Sequence, residues 1–269
     1  MASASVLQPV KESGWRRGFA NLLRKENGEW WRTRRWWTQS LIWLLIANGI
    51  LAIGVWVVPI MEPAEAGDTM ENLGIFIQLM AWFPMFAVVV IAQGAVIGEK
   101  QSGTAAWIMS APVSRSAFIL AKLVANAIGF FVTIILVQGV VAYVQLSLSD
   151  GSPLALAPYL AMLALLSLYL LFYLTLTLML GTFFDTRGPV LGIAIAVSIV
   201  SMLSLIGSLF ASFLPWIVVI VPEAIPGILT LLVQGEPLPD VWPIPIILMA
   251  VYSLLFVALA IWRFNREEF

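Results

Sequence analysis

The residues of this chain that could do chemistry are few, and their types exclude more than they include. There is no cysteine and no histidine in 269 residues. That removes disulfides, thiolate nucleophiles, the usual zinc ligand sets and a proton switch near neutral pH. Without His there is no Ser–His pair and no H-E-x-x-H, and the apolar stretches hold no pair of aspartates for intramembrane proteolysis. The nearest approach to a nucleotide loop is GAVIGEKQS, with Gly94, Gly98 and Lys100. A phosphate cradle requires G-x-x-x-x-G-K-[ST] between a strand and a helix. Here Glu99 stands where the lysine belongs, and its charge repels phosphate. The cores of the apolar stretches also lack Asp, Glu, Lys and Arg. Ion-coupled carriers and proton pumps generally place an ionisable or ion-coordinating group there, although backbone and hydroxyl oxygens could still hold sodium. The chain is therefore expected to be no enzyme and to hold no cofactor or metal of its own. Any work it does is expected to draw on another subunit.

The elements that carry these residues follow from composition. The chain is 61% hydrophobic and 11% charged, against about 45–50% and about 25% in soluble domains, so lipid must be its solvent. A hydrocarbon core of about 30 Å takes roughly 20 apolar residues in a helix, and six stretches qualify: 39–60, 73–97, 118–146, 155–184, 189–214 and 243–262. The charges sort with them. Lys11, Arg16, Arg17, Arg24, Lys25, Arg32, Arg34 and Arg35 precede the first span. Lys100, Arg115 and Lys122 flank the loop between the second and third, Arg187 follows the fourth, and Arg263 and Arg266 follow the sixth. The three opposite loops hold only acids: Glu62, Glu65, Asp68, Glu71, Asp150, Glu223, Glu236 and Asp240. Since Lys and Arg resist translocation, this sorting predicts an all-α, six-span membrane protein with both ends in the cytoplasm. The fifth apolar run, Pro189 to Val221, covers roughly 50 Å at helical rise, too long for one crossing. Pro215, Pro222 and Pro226 interrupt its end. Residues 215–242 thus read as a broken or re-entrant pair of short outer helices, the alternative being one long tilted helix and a loop.

Before the first span, residues 1–38 are charged and Trp-rich, with no apolar core followed by a small-residue cleavage site, so a cleaved signal is not expected. On a helical wheel, Trp15, Phe19, Leu22, Leu23, Trp30, Trp36 and Trp37 fall on one side of residues 14–39. Arg17, Arg24, Lys25, Arg32 and Arg35 fall on the other. This pattern predicts a helix in the membrane interface, with Trp at headgroup depth and Arg reaching phosphate. Glu26 and Glu29 project near the apolar side, which a pure lipid anchor would avoid; they are expected to pair with Arg or to meet a partner protein. Gly28 could divide the segment.

The loop after the second span reads GEKQSGTAAWIMSAPVSRSAFILAKLV, residues 98–124. Gly103–Thr104 can start a helix with Thr104 as N-cap, and Pro112 stops it. The result is a short helix parallel to the membrane that presents Trp107, Ile108 and Met109. Arg115 and Lys122 then mark the start of span three at the headgroups. An ordinary connecting loop seldom displays Trp-Ile-Met beside water.

In these residues the chain resembles the type-2 ABC exporter permeases, the membrane subunits of bacterial export systems. Their corresponding loop has Glu, a short polar stretch, Gly-Thr, an apolar helix, a small residue, Pro-Val-Ser/Thr-Arg and a Lys on the next span. Here these are Glu99, Gly103, Thr104, Trp107–Met109, Ala111, Pro112, Val113, Ser114, Arg115 and Lys122. The basic helix before span one, the six spans and the Pro-broken outer segment extend the resemblance over most of the chain. Ala105-Ala106 departs from the Leu-Glu-like pair common in the family.

The resemblance implies a coupling element over 98–117 (Glu99, Gly103, Thr104, Trp107, Ile108, Met109, Pro112 and Arg115) seated on a separate ABC ATPase subunit, present in two copies. Beside it would lie the interfacial helix with Trp15, Arg24, Glu26, Glu29, Trp30 and Arg35. A second permease copy or a paralogue would complete the pathway, and ATP and Mg would be bound by the partner subunit. The implied location is the bacterial cytoplasmic membrane, with a permease domain over 39–262 and a cytoplasmic tail over 263–269. Membrane lipid is a further expected partner and nucleic acid is not.

Charge-free spans suit a hydrophobic or amphiphilic substrate, with Phe76, Met80, Phe83 and Tyr143 as possible pathway lining, unless these residues face lipid or pack between helices. Gly129, Gly139, Gly181 and Gly192 are expected to allow close helix packing. A scaffold that moves nothing and a sodium-coupled carrier remain as rival readings. Orientation is testable because the chain has no native cysteine. A membrane-impermeant maleimide applied to intact cells should label Ser152→Cys and spare Ser102→Cys until the cells are opened; the reverse pattern would invert the topology.

Overall fold

In lipid, backbone donors are satisfied only by helices that close their own hydrogen bonds or by closed barrels. Accordingly, every regular element among the described residues is helical in the computed structural model. The structure describes residues 13–208, 210 and 215–268, with backbone alone at 215–217. Lys11 and the rest of 1–12, 209, 211–214 and 269 lie outside the described residues, so the expectations made for them have no structural counterpart here.

After a short turn at Gly14–Arg16, α1 spans Phe19–Trp31. Six long apolar helices follow at close to the expected places: α2 (Arg35–Met61), α3 (Thr69–Gln101), α5 (Arg115–Asp150), α6 (Leu156–Phe183), α7 (Arg187–Ser208) and α10 (Pro243–Phe264). Between them lie the short α4 (Thr104–Ser110), α8 (Pro215–Ile220) and α9 (Ala224–Gln234). The molecule is thus an all-α, multi-pass membrane protein. The overlong fifth apolar stretch is not one helix: α7 ends at Ser208, and α8 and α9 are separate pieces.

α6 is the most buried of the six, with α3 and α10 packed along it; α7 and α10 leave most of their length facing outward. Two widened π-helical turns in α2 (Leu44–Asn48 and Ile53–Val57) and one in α5 (Phe131–Leu136) reshape those helices where they face each other. There a buried amide network joins them. Asn48 Nδ2 donates to Gln138 Oε1 at 2.9 Å, Gln145 Nε2 donates to Asn48 Oδ1 at 3.1 Å, and Gln138 Nε2 donates to the Ser40 carbonyl at 3.1 Å. Interhelical amides of this kind are worth roughly 1 kcal/mol each in a membrane interior.

A helix does form ahead of the first span, over Phe19–Trp31, but its setting differs from the expectation. α1 runs unbroken through Gly28, and the chain bends only at 32–34. Its apolar stripe faces α5 rather than lipid alone. Leu22 and Trp30 are buried, and the Trp30 ring packs edge-on against Phe130 with centroids 5.0 Å apart. Trp15, Trp36 and Trp37 stay exposed, as a lipid-facing position requires. The Trp30 indole lies directly over Gly129, where any Cβ would collide with it. Gly139 and Gly181 likewise admit Leu163 and Val96, whereas a Cβ at Gly192 meets nothing within 4 Å, so the packing role expected of Gly192 is absent here. Gly129→Leu is therefore expected to cost about 2 kcal/mol or more by overpacking. Thermal unfolding of the purified protein should show a clear drop for that variant and almost none for Gly192→Leu.

Candidate functional site

The structure draws the charged residues around spans two and three into one junction. Ser114 caps α5, its side chain accepting from the Ala117 N–H at 3.0 Å, so the helix begins at Arg115. Two turns later Lys122 points inward with 2% of its surface exposed. At the start of span three, it therefore faces neighbouring helices rather than the surroundings of the bundle. An ammonium so far from water must be paired. Its Nζ lies 2.9 Å from Glu26 Oε1 of α1 and 2.9 Å from Glu99 Oε1 near the end of α3, with the Phe118 ring 4.8 Å away. Lys25 reaches the same two carboxylates, at 3.3 Å from Glu26 and closer still to Glu99.

Two ammonium groups and the carboxylates of Glu26 and Glu99 thus form a cluster linking three segments distant in sequence, with Glu29 at its exposed edge, 4.0 Å from Lys25. Burial opposes the charge on Lys25, but the hydrogen bond to Glu99 and the fields of Glu26 and Glu99 together outweigh it, raising its pKa above the ordinary lysine value. Carboxylate oxygens of Glu26, Glu29 and Glu99 all lie within 4.8 Å of one another, close enough to share a cation. Lys25 and Lys122 supply the positive charge there. Glu26 therefore pairs with lysines rather than with arginine.

α1 is fastened at both ends. Trp30 Nε1–H donates to Asn126 Oδ1 at 3.1 Å, and the Arg35 guanidinium sits 5.4 Å over the Trp30 ring. At the other end Ser114 donates to the carbonyls of Trp15 (Oγ, 2.6 Å) and Arg17 (N–H, 2.9 Å). Arg24 and Glu29 are exposed.

The loop helix forms as its signals indicate, with two corrections. The residue that turns the chain is Gly103, at φ +72°, a left-handed value that favours glycine, and Thr104 is the first helical residue rather than the cap. Ala111 is extended ahead of Pro112 and ends the helix. Ile108 is buried with Ala105, Met109 is half-buried, and Trp107 stands out with 76% of its surface exposed. Of the three residues expected to be displayed, only Trp107 is fully so.

Further ion pairs brace the same end. Lys100 Nζ lies 2.6 Å from Asp185 and 3.0 Å from Glu267, and Arg263 is 2.7 Å from Glu267. The hydrogen bond from Lys100 and its charge hold the Asp185 carboxyl below the usual aspartate range. Gln101 Nε2 donates to the Asp185 carbonyl at 2.8 Å. Arg115 donates to the carbonyls of Phe264 and Asn265, the open C-terminal end of α10.

The four residues considered for a pathway are not brought into one wall. Phe76 and Met80 are fully buried in helix packing, and Phe83 is half exposed on the outside. Tyr143 donates to the Leu154 carbonyl at 3.0 Å and packs against Tyr159.

Three features escaped the sequence reading. One is the Asn48–Gln138–Gln145 network. The second is the inward course of Lys122 and Glu26. The third is Glu223, placed by its sequence in an outer loop. It is 3% exposed, and its Oε1 accepts from Tyr173 at 2.6 Å and Tyr169 at 3.4 Å, midway along α6. The i, i+4 spacing of those tyrosines was the available signal.

Removing one member of a buried ion-pair cluster strands the others at a cost of about 3–5 kcal/mol. Lys122→Met should therefore lower the unfolding temperature sharply. Adding Glu26→Gln, which leaves Lys25 balanced by Glu99, should recover much of the loss; no recovery would mean that the cluster is not a charge-balanced unit.

No curated protein matches the chain significantly. The model of the family described as "Protein of unknown function (DUF2705)" matches residues 45–269, a stretch that takes in most of the first span, all five that follow and the loop helix between α3 and α5, and the chain belongs to that family.

Proposed function

We propose that the chain is the permease subunit of an ATP-driven exporter of the type-2 ABC class, in a bacterial cytoplasmic membrane, with α4 as the coupling helix that docks on a separate ATPase. The observation that carries this reading is Trp107. A large aromatic side chain is 76% exposed on a short helix at the basic end of the bundle, the end the positive-inside rule assigns to the cytoplasm. Its neighbours Ala105 and Ile108 are buried, so α4 is a seated element with one residue held out for a partner. Exposed aromatics on a rigid support are the usual anchors of protein interfaces.

The ion-pair junction supports a mechanical role. Glu99 and Lys122 lie on the helices that enter and leave the loop, and Glu26 ties α1 to both. No one of these charges can leave its partners buried at small cost. A displacement of α4 by ATP-driven closure of the partner subunits would therefore move α1 and the basic ends of α3 and α5 together. Two permeases, identical or paralogous, would place the pathway between them, and α8 and α9 would form a re-entrant outer segment. Spans whose buried charge is gathered at the basic end suit a hydrophobic or amphiphilic substrate.

Reconstitution with the co-purifying ATPase tests this. Movement of a fluorescent phospholipid across proteoliposomes should require ATP and stop with vanadate. Trp107→Asp should reduce coupled transport at least tenfold while thermal stability stays unchanged. Transport that continues without ATP, or that follows a sodium gradient, would overturn the proposal.

A further inference from the structure

A second site lies away from the basic end, reaching the middle of α6. Between α3, α7, α8, α9 and α10 is a cavity of about 620 Å³, within the range of small-molecule sites, roughly 300–1,000 Å³. Its walls are almost entirely apolar, with Leu205, Val218 and Leu231 among them, and include two tryptophans, Trp82 and Trp242. Glu223 is the one ionisable residue in the lining.

Glu223 is incompletely satisfied. The tyrosines of α6 both donate to Oε1, while Oε2 is buried with no hydrogen-bond partner. The Ser198 and Ser201 hydroxyls of α7 also face the carboxyl, but neither closes a bond of good geometry on Oε2. Among the described residues, Glu223 has no ion pair with Lys or Arg. The cations that are paired belong to the junction at the basic end or to the ends of α3 and α10 beside it. Burial pushes the Glu223 carboxyl above the usual glutamate range, against the phenolic and hydroxyl donors around it, so its charged form is stabilised when a cation is seated beside it in the apolar cavity.

We infer that this cavity binds an amphiphile with an apolar body and a single organic cation, an ammonium or its like, seated against Glu223 with the tryptophan rings beside it. The chemistry is that of quaternary-ammonium recognition, in which aromatic faces and a carboxylate replace the water that a weakly hydrated cation gives up. The 620 Å³ of mostly apolar wall takes the body of the ligand. The site stands whether or not an ATPase drives the chain, and its failure would leave the coupling proposal untouched.

Equilibrium binding of radiolabelled tetraphenylphosphonium to the purified full chain in nanodiscs is the test. Saturable binding is expected, displaced by dodecyltrimethylammonium and not by an uncharged dodecyl analogue of the same size. Glu223→Gln should weaken it at least tenfold. Should that variant unfold, Gly227→Leu serves instead. Gly227 lines the cavity, and a Cβ there meets nothing within 4 Å, so a leucine can enter the space while Glu223 itself is retained, and should block binding. Running each titration in phosphatidylglycerol discs with and without phosphatidylethanolamine distinguishes the source of the ligand: competition by the ethanolamine lipid points to a membrane lipid, its absence to a soluble amphiphile. Absence of saturable binding to the parent chain, equal displacement by the uncharged analogue, or unchanged affinity in both variants would overturn the inference.

Discussion

An ammonium group shut away from water has to be surrounded by negative charge, and Lys122 imposes that requirement on the whole basic end of the molecule. Its two carboxylate partners come from different directions, Glu26 from the helix ahead of the first span and Glu99 from the end of the second. Meeting the requirement pulls α1 against α5, which in turn buries Trp30 over Gly129 and sets its indole on Asn126. It also ties the last turn of α3, just ahead of the Gly103 turn into α4, to α5. Arg115, Lys100 and Arg263 extend the same logic to α10 and to the connection between α6 and α7. The exposed position of Trp107 is a consequence: the residues around it are committed elsewhere.

The parts of this architecture that depend on local signals were legible in the chain. Six apolar runs became six helices. Basic residues sorted to one side meet at one end, and the overlong fifth run is divided between α7 and α8, with α9 following as a separate helix. The limits of α4 follow from Gly103 and Pro112. The parts that depend on distant partners were not. A helical wheel separates apolar from polar faces, but it does not say whether an apolar face meets lipid or another helix, because both are equally apolar. Trp30 and Ile108 are buried for that reason against expectation. Lys122 lies 96 residues from Glu26, and Lys25 lies 74 from Glu99, so no spacing rule within a helix could pair them. Glu223 sits among prolines that read as an outer loop, and only the docking of α9 against α6 brings it to Tyr169 and Tyr173.

The two ends of the bundle therefore differ in kind. At the basic end charge is abundant and balanced, and the structure is braced. At the other, one carboxylate in an apolar cavity keeps an oxygen without a partner. α6 connects the two regions, facing Glu223 at its middle and packing against α3 and α5 toward the basic end. In the proposed exporter, movement imposed on the braced end would reach the outer cavity along this helix. Packed helices shift as units rather than deform smoothly, so such transmission needs no charged residue between the ends.

The most direct measurement is made at Trp107. A photo-crosslinking amino acid placed at that position, activated in native membranes and followed by mass spectrometry, reports what α4 touches. The expected product is a covalent adduct to an ATPase subunit carrying a phosphate-binding loop, formed from position 107 and not from buried position 108. Adducts to lipid alone, or to proteins without a nucleotide site, would contradict the assignment of α4 as the element that couples this chain to ATP.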